Sequence, residues 1–101
     1  MTTPTRFAVP AGHPALPGHF PGRPIVPGVL LLDAVLRAAA ALDPGRVAPA
    51  LLLRAKFPAP VAPGAEVEIT LAPRGPDRLG FTCRCAGVTV LLGELGWPAP
   101  P

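Results

Sequence analysis

His19, Gly28 and Asp33 stand close together in the stretch GHFPGRPIVPGVLLLDA, residues 18–34, and each is of a type that can handle a proton or a charge. An unperturbed imidazole titrates near neutrality, so His19 can act as a base; equally, a loop histidine can simply bond a backbone carbonyl. Asp33 is flanked by Leu31, Leu32, Ala34 and Val35. A carboxyl among such neighbours is stripped of water, tends to keep its proton, and can serve as a general acid. Arg37, four residues on, offers the other reading: a helical i,i+4 pair worth about 0.2–0.5 kcal/mol that holds Asp33 ionised. Gly28 lets a ligand come close to the backbone, and its N–H can donate to a carbonyl oxygen that gains charge during reaction; it also reads as a turn residue at the start of a helix. A base, an acid and an oxyanion donor together point to proton abstraction beside a carbonyl, followed by loss of a group.

The elements that would hold these groups follow from the surrounding pattern. Residues 10–28 are dense in proline and glycine, which makes a stiff loop, because each proline fixes its own φ and restricts the residue before it. The segment VLLLDAVLRAAAAL, residues 29–42, has neither residue type and predicts a helix, entered at Pro27–Gly28 and ended by Asp43-Pro44-Gly45. It is apolar nearly all round, so it is expected to be buried on most sides. RFAV at 6–9 predicts a short strand and ALLLRAKF at 50–57 another. EVEITLA alternates with Val67, Ile69 and Leu71 on one face, and RLGFTCRCAG alternates with Phe81, Cys83 and Cys85 inward. A tight turn near Gly87 leads into VTVLLGEL. The expectation is one α+β domain over residues 1–101: an antiparallel sheet of about four strands wrapped around a long apolar central helix.

Composition narrows the classes of function. The 101 residues suit one domain, and with 50% hydrophobic and 15% charged residues the chain is not disordered despite 17 prolines. So apolar a surface favours self-association. The net charge is +3, but the arginines are scattered, tyrosine is absent and Trp97 stands alone, a poor match for nucleic-acid binding. A mildly positive face suits an acidic protein partner. The apolar run is interrupted by Asp33 and Arg37 and is too short to span a bilayer. The N-terminus lacks the pattern of a secretory leader. Cys83 and Cys85 are badly placed to bridge each other and lack a second pair for zinc, so free thiols in a reducing cytoplasm are expected.

The stretch GHFPGRPIVPGVLLLDA closely resembles the motif of the β-hydroxyacyl-acyl-carrier-protein dehydratases, which have the hot-dog fold. The histidine, the phenylalanine, both Pro-Gly pairs and the acid sit at that family's spacing. A weaker similarity continues through KFPAPVAPGAEVEI, so the resemblance covers residues 7 to about 95. It implies that His19 removes the α-proton of a 3-hydroxyacyl thioester and that Asp33 delivers a proton to the departing hydroxyl. It further implies that the Gly28 N–H polarises the thioester carbonyl and that the Ile25 carbonyl orients the histidine. The product would be a trans-2-enoyl thioester. The resemblance implies a homodimer whose two sites each draw histidine and acid from opposite subunits, a substrate carried on the phosphopantetheine of an acyl carrier protein, and no metal or organic cofactor. Arg23, Arg54 and Lys56 are candidates for docking that acidic carrier. Two departures are notable. The acid is Asp, as in the branch that also isomerises the double bond, where the commoner branch has Glu; and the N-terminal helix of the housekeeping enzymes has no counterpart, which suggests a compact member serving fatty-acid, polyketide or aryl-polyene-type synthesis. A non-catalytic subunit that binds acyl chains or a partner, and a hot-dog thioesterase, are the competing readings; fold alone does not separate them.

Overall fold

A computed structural model describes residues 4–10, 12–13, 25–45 and 50–98. The elements run β1 (Thr5–Phe7), α1 (Gly28–Leu42), β2 (Leu51–Lys56), β3 (Val67–Pro73), β4 (Arg78–Cys85) and β5 (Val88–Gly96). The strands form one sheet in the order β1-β3-β4-β5-β2, every neighbouring pair antiparallel. The strands expected from the sequence are all present with ends moved by one or two residues; the short one expected at 6–9 is β1, so the sheet has five strands where about four were expected.

Alternation decides which face of the sheet is buried. Val67, Ile69 and Leu71 of β3, Leu79, Phe81 and Cys83 of β4, and Leu91 and Leu95 of β5 form one apolar core with Leu31, Val35 and Ala39 of α1. Register aligns them: Ile69 faces Cys83, which faces Leu91. Each large aliphatic side chain so buried contributes about 1.5–3 kcal/mol. Cys85 departs from the expected pattern; at the end of β4 it is only half-buried.

The helix is not buried on most sides within one chain. Its buried residues recur every fourth position along one stripe, while Val29 is 68% and Leu36 44% exposed. The physical reason is plain: one sheet can cover only one side of a helix. Edge strand β2 is similarly uncovered, with Leu51, Leu52 and Leu53 all exposed. Among the described residues no helix is long and apolar enough to cross a membrane.

The pairing of β2 with β5 slips between Leu52 and Arg54. Just past that slip stands Gly93, paired with Ala55, where a Cβ would run into the Arg54 carbonyl and lie 2.6 Å from Phe81 Cζ. At the other end of the sheet, β4 and β5 are joined through Ala86 (φ 50°) and Gly87 (φ 81°). A two-residue hairpin of this kind needs positive φ at both positions, and alanine is strained there. Ala86→Asn is therefore expected to raise stability by about 0.5–1 kcal/mol, read as a higher denaturant midpoint with unchanged slope.

Candidate active site

The residues before α1 are tied to the loop after β2. Val26 donates its N–H to the Val61 carbonyl at 2.8 Å, and both residues are buried. Further along that loop, the Gly64 N–H donates to the Val9 carbonyl at 2.7 Å. Pro27 caps the helix with φ −58° and ψ 139° and, being proline, offers no side-chain bond to the first-turn amides. Its carbonyl accepts from the Leu30 N–H at 3.0 Å. The Gly28 N–H finds no acceptor among the described residues and lies at the positive end of the helix dipole. Beside it opens a groove of about 510 Å³, lined by Ile25, Pro27, Gly28, Leu31, Phe57 and Pro60 among others. The side chains that line it are all apolar, so a carbonyl that entered beside Gly28 would meet its amide among side chains that offer no competing hydrogen bond.

The structure brings Gly28 and Ile25 together on this groove. His19 and Arg23 lie outside the described residues. Asp33 does not line the groove: five residues after Gly28, it is rotated by about 140° around the helix. The desolvated carboxyl expected from its neighbours is also absent from the single chain. The Asp33 side chain is 54% exposed and its Oδ2 accepts from Arg37 Nε at 2.8 Å. Its sequence neighbours are apolar, but on a helix they point to other faces; the i,i+4 pair is what forms here. At such exposure this ion pair adds little to stability.

Arg54 and Lys56, two apart on β2, share the face of the sheet away from α1. Arg54 stands opposite Glu94, which also takes Arg78 Nη1 at 2.9 Å and Arg74 Nη1 at 3.4 Å. The hydrogen bond from Arg78, helped by the charges of Arg78, Arg74 and Arg54, holds the Glu94 carboxyl below its ordinary range. The Arg74 guanidinium lies across Gly80, where a Cβ would come within 2.8 Å of its Nε. Sequence reasoning missed Arg74 and Arg78, although their places at the two ends of the β3–β4 turn were a usable signal. It also missed Phe57, whose place directly before the proline-rich loop marks it as a groove residue. Cys83 is no nucleophile: burial pushes its thiol up to about 11.

With this geometry in place, comparison with known proteins fixes the family. The family described as ApeI-like, ApeI dehydratase, matches residues 2–93. The chain belongs to the ApeI-like dehydratase family. A 3-hydroxyacyl-acyl-carrier-protein dehydratase FabZ of Sodalis glossinidius is similar to this ApeI-like chain, 37% identical over 99 residues, covering 85% of the chain and 62% of that relative. The chain thus spans less than two thirds of the length of the curated relatives it matches. Among solved structures, the dehydratase heterocomplex ApeI:P from Xenorhabdus doucetiae superposes with a TM-score of 0.80 at 23% identity, covering 95% of this chain and 86% of the other. A point mutant of the fluoroacetyl-CoA-specific thioesterase FlK superposes with a TM-score of 0.66 at 20% identity, covering 93% and 84%. The fold is the hot-dog fold, in agreement with the α+β expectation.

The environment of the two thiols makes a direct check of the core. In folded protein at mildly alkaline pH, an alkylating reagent is expected to modify Cys85 and spare Cys83, read by peptide mass mapping. Equal labelling of both would contradict the packing described.

Proposed function

We propose that this chain dehydrates 3-hydroxyacyl thioesters carried on an acyl carrier protein to trans-2-enoyl thioesters. The observation that carries the reading is the apolar groove at the amino end of α1, where the Gly28 N–H is left without an acceptor among the described residues. Family membership and the FabZ relatives support it.

In the proposed reaction the thioester carbonyl accepts from the Gly28 N–H. His19, oriented by the Ile25 carbonyl, takes the proton from C2, and the negative charge that develops is held on the carbonyl oxygen. The pair of electrons then forms the C2–C3 double bond as the C3–O bond breaks. Asp33 gives its proton to the departing hydroxyl, which leaves as water. The reaction as written needs no metal or organic cofactor. The acyl chain serves fatty-acid, polyketide or aryl-polyene-type synthesis in this reading, and two unpaired thiols fit a reducing cytoplasm.

Asp33 and the groove of its own chain point apart, so the acid of each site comes from a second copy. The uncovered Val29, Leu36 and β2 leucines supply apolar surface for that copy to bury. His19→Ala and Asp33→Asn are each expected to lower kcat at least about 100-fold. Mixing the two inactive variants under exchange should restore about a quarter of wild-type activity, because half of the dimers are hybrids with one intact site. No recovery on mixing would contradict the shared site, and full activity of either variant would contradict the chemistry. One observation favours a second reading, in which the chain works only beside a different hot-dog subunit: the similar solved structure from X. doucetiae is a dehydratase heterocomplex. Activity of the purified chain alone would set that reading aside.

The carrier docks, in this reading, on the outer face of the sheet. Arg54 and Lys56 are joined there by Arg74 and Arg78, with Glu94 as the carboxylate among them. Glu94→Gln should tighten carrier binding about 3- to 10-fold at low salt, and Arg78→Ala should weaken it, both differences shrinking as salt rises. Titration calorimetry with an acidic carrier protein would read them.

A further inference from the structure

Gly28 is the donor in the proposed reaction, and the residue lying against it is Phe57, the first after β2. A Cβ built on Gly28 would sit 2.7 Å from Phe57 Cε1, 2.8 Å from Cζ and 3.4 Å from Cδ1. Carbon atoms prefer about 3.5–4.0 Å. The ring therefore fills the space that any side chain at position 28 would need, and the two residues fit as a pair.

Phe57 is not held there as a member of the core. It is 47% exposed, an unusual state for a phenylalanine whose burial is worth so much. One part of the ring packs on the first residue of α1, and Phe57 also lines the groove with Ile25, Pro58 and Pro60. The Val26–Val61 hydrogen bond fixes the two segments that carry Gly28 and Phe57 relative to each other. The helix start supplies a donor with no acceptor among the described residues, and the ring supplies an apolar wall beside it. A wall of this kind displaces water from the amide, which strengthens its bond to an incoming carbonyl, and it narrows the directions from which that carbonyl can arrive.

We propose that Phe57 is a positioning residue for the thioester: its ring shields the Gly28 N–H from water and sets the carbonyl on it. The proposal rests on the dehydratase reading, yet it makes a claim about the free protein as well, which lets the two fail separately.

The test uses the full chain as wild type, Phe57→Ala, Phe57→Leu, Gly28→Ala and the double variant Gly28→Ala/Phe57→Ala. The substrate probe is a 3-hydroxyacyl N-acetylcysteamine thioester, followed by formation of the conjugated enoyl product. Phe57→Ala is expected to lower kcat about 10- to 100-fold with a smaller change in KM, and Phe57→Leu to lower it less. Gly28→Ala should lose activity because its methyl collides with the ring. Removing the ring as well should then recover about 10-fold over Gly28→Ala alone. Residue-resolved hydrogen exchange, which needs no substrate, should show the Gly28 amide exchanging at least about 10-fold faster in Phe57→Ala than in wild type, and faster in Phe57→Leu should the alanine variant fold poorly. Wild-type turnover without any loss of kcat in the Phe57 variants would overturn the proposal, as would a double variant no better than Gly28→Ala. Unchanged exchange at Gly28 would overturn it whether or not the chain turns over this probe. A wild type that fails to turn over while Gly28 exchange accelerates as expected would strike the dehydratase reading and leave the shielding in place.

Discussion

The hydrogen bond from the Val26 N–H to the Val61 carbonyl holds the candidate site in shape. It joins two segments that the chain separates by an entire helix and an edge strand. On one side it sets where α1 begins, and so where the Gly28 amide lies. On the other it sets the path of the loop that begins at Phe57. Both valines are buried, 4% and 3% exposed, so neither group has water as an alternative partner. Breaking the bond would leave two buried polar groups unsatisfied, at about 1–3 kcal/mol each. The groove is thus a property of tertiary structure, and neither segment forms it alone.

A second constraint acts on the helix. A single sheet fully buries only the stripe of Leu31, Val35 and Ala39, and covers Leu30, Leu32, Ala34 and Ala38 in part. The rest of the helix is left to water or to another protein, and Asp33 with its Arg37 partner sits on that side. The same geometry that buries the core therefore sets Asp33 and the Gly28 amide on different sides of the helix. In the proposed reaction a second copy supplies the acid, and the uncovered leucines of β2 offer it apolar surface to bury.

The sequence made much of this legible. The run from Val29 to Leu42 lacks glycine and proline, and the helix follows it to within one residue. Clean alternation in β3 placed Val67, Ile69 and Leu71 correctly in the core. The motif around residues 18–34 pointed to the family that the comparisons show. What was hidden depends on direction and on pairing across the chain. The neighbours of Asp33 looked like a desolvating environment because a linear reading treats adjacent residues as adjacent in space; on a helix they diverge. The cluster of Arg54, Arg74 and Arg78 around Glu94 exists only because β4, β5 and β2 lie side by side in a given register. The contact between Gly28 and Phe57 spans a helix and a strand, and no local pattern announces it.

The proline content of the groove has a consequence for selectivity. Pro27, Pro58 and Pro60 all line it, and each fixes one backbone angle of the wall it belongs to. A wall built this way is ordered when the chain folds, so a ligand has little left to organise and loses little affinity in doing so. The same stiffness forbids adjustment. In the proposed reaction, an acyl group slightly too broad for the groove would meet a wall that resists moving aside, and discrimination among substrates would be a matter of shape, set before any of them arrives.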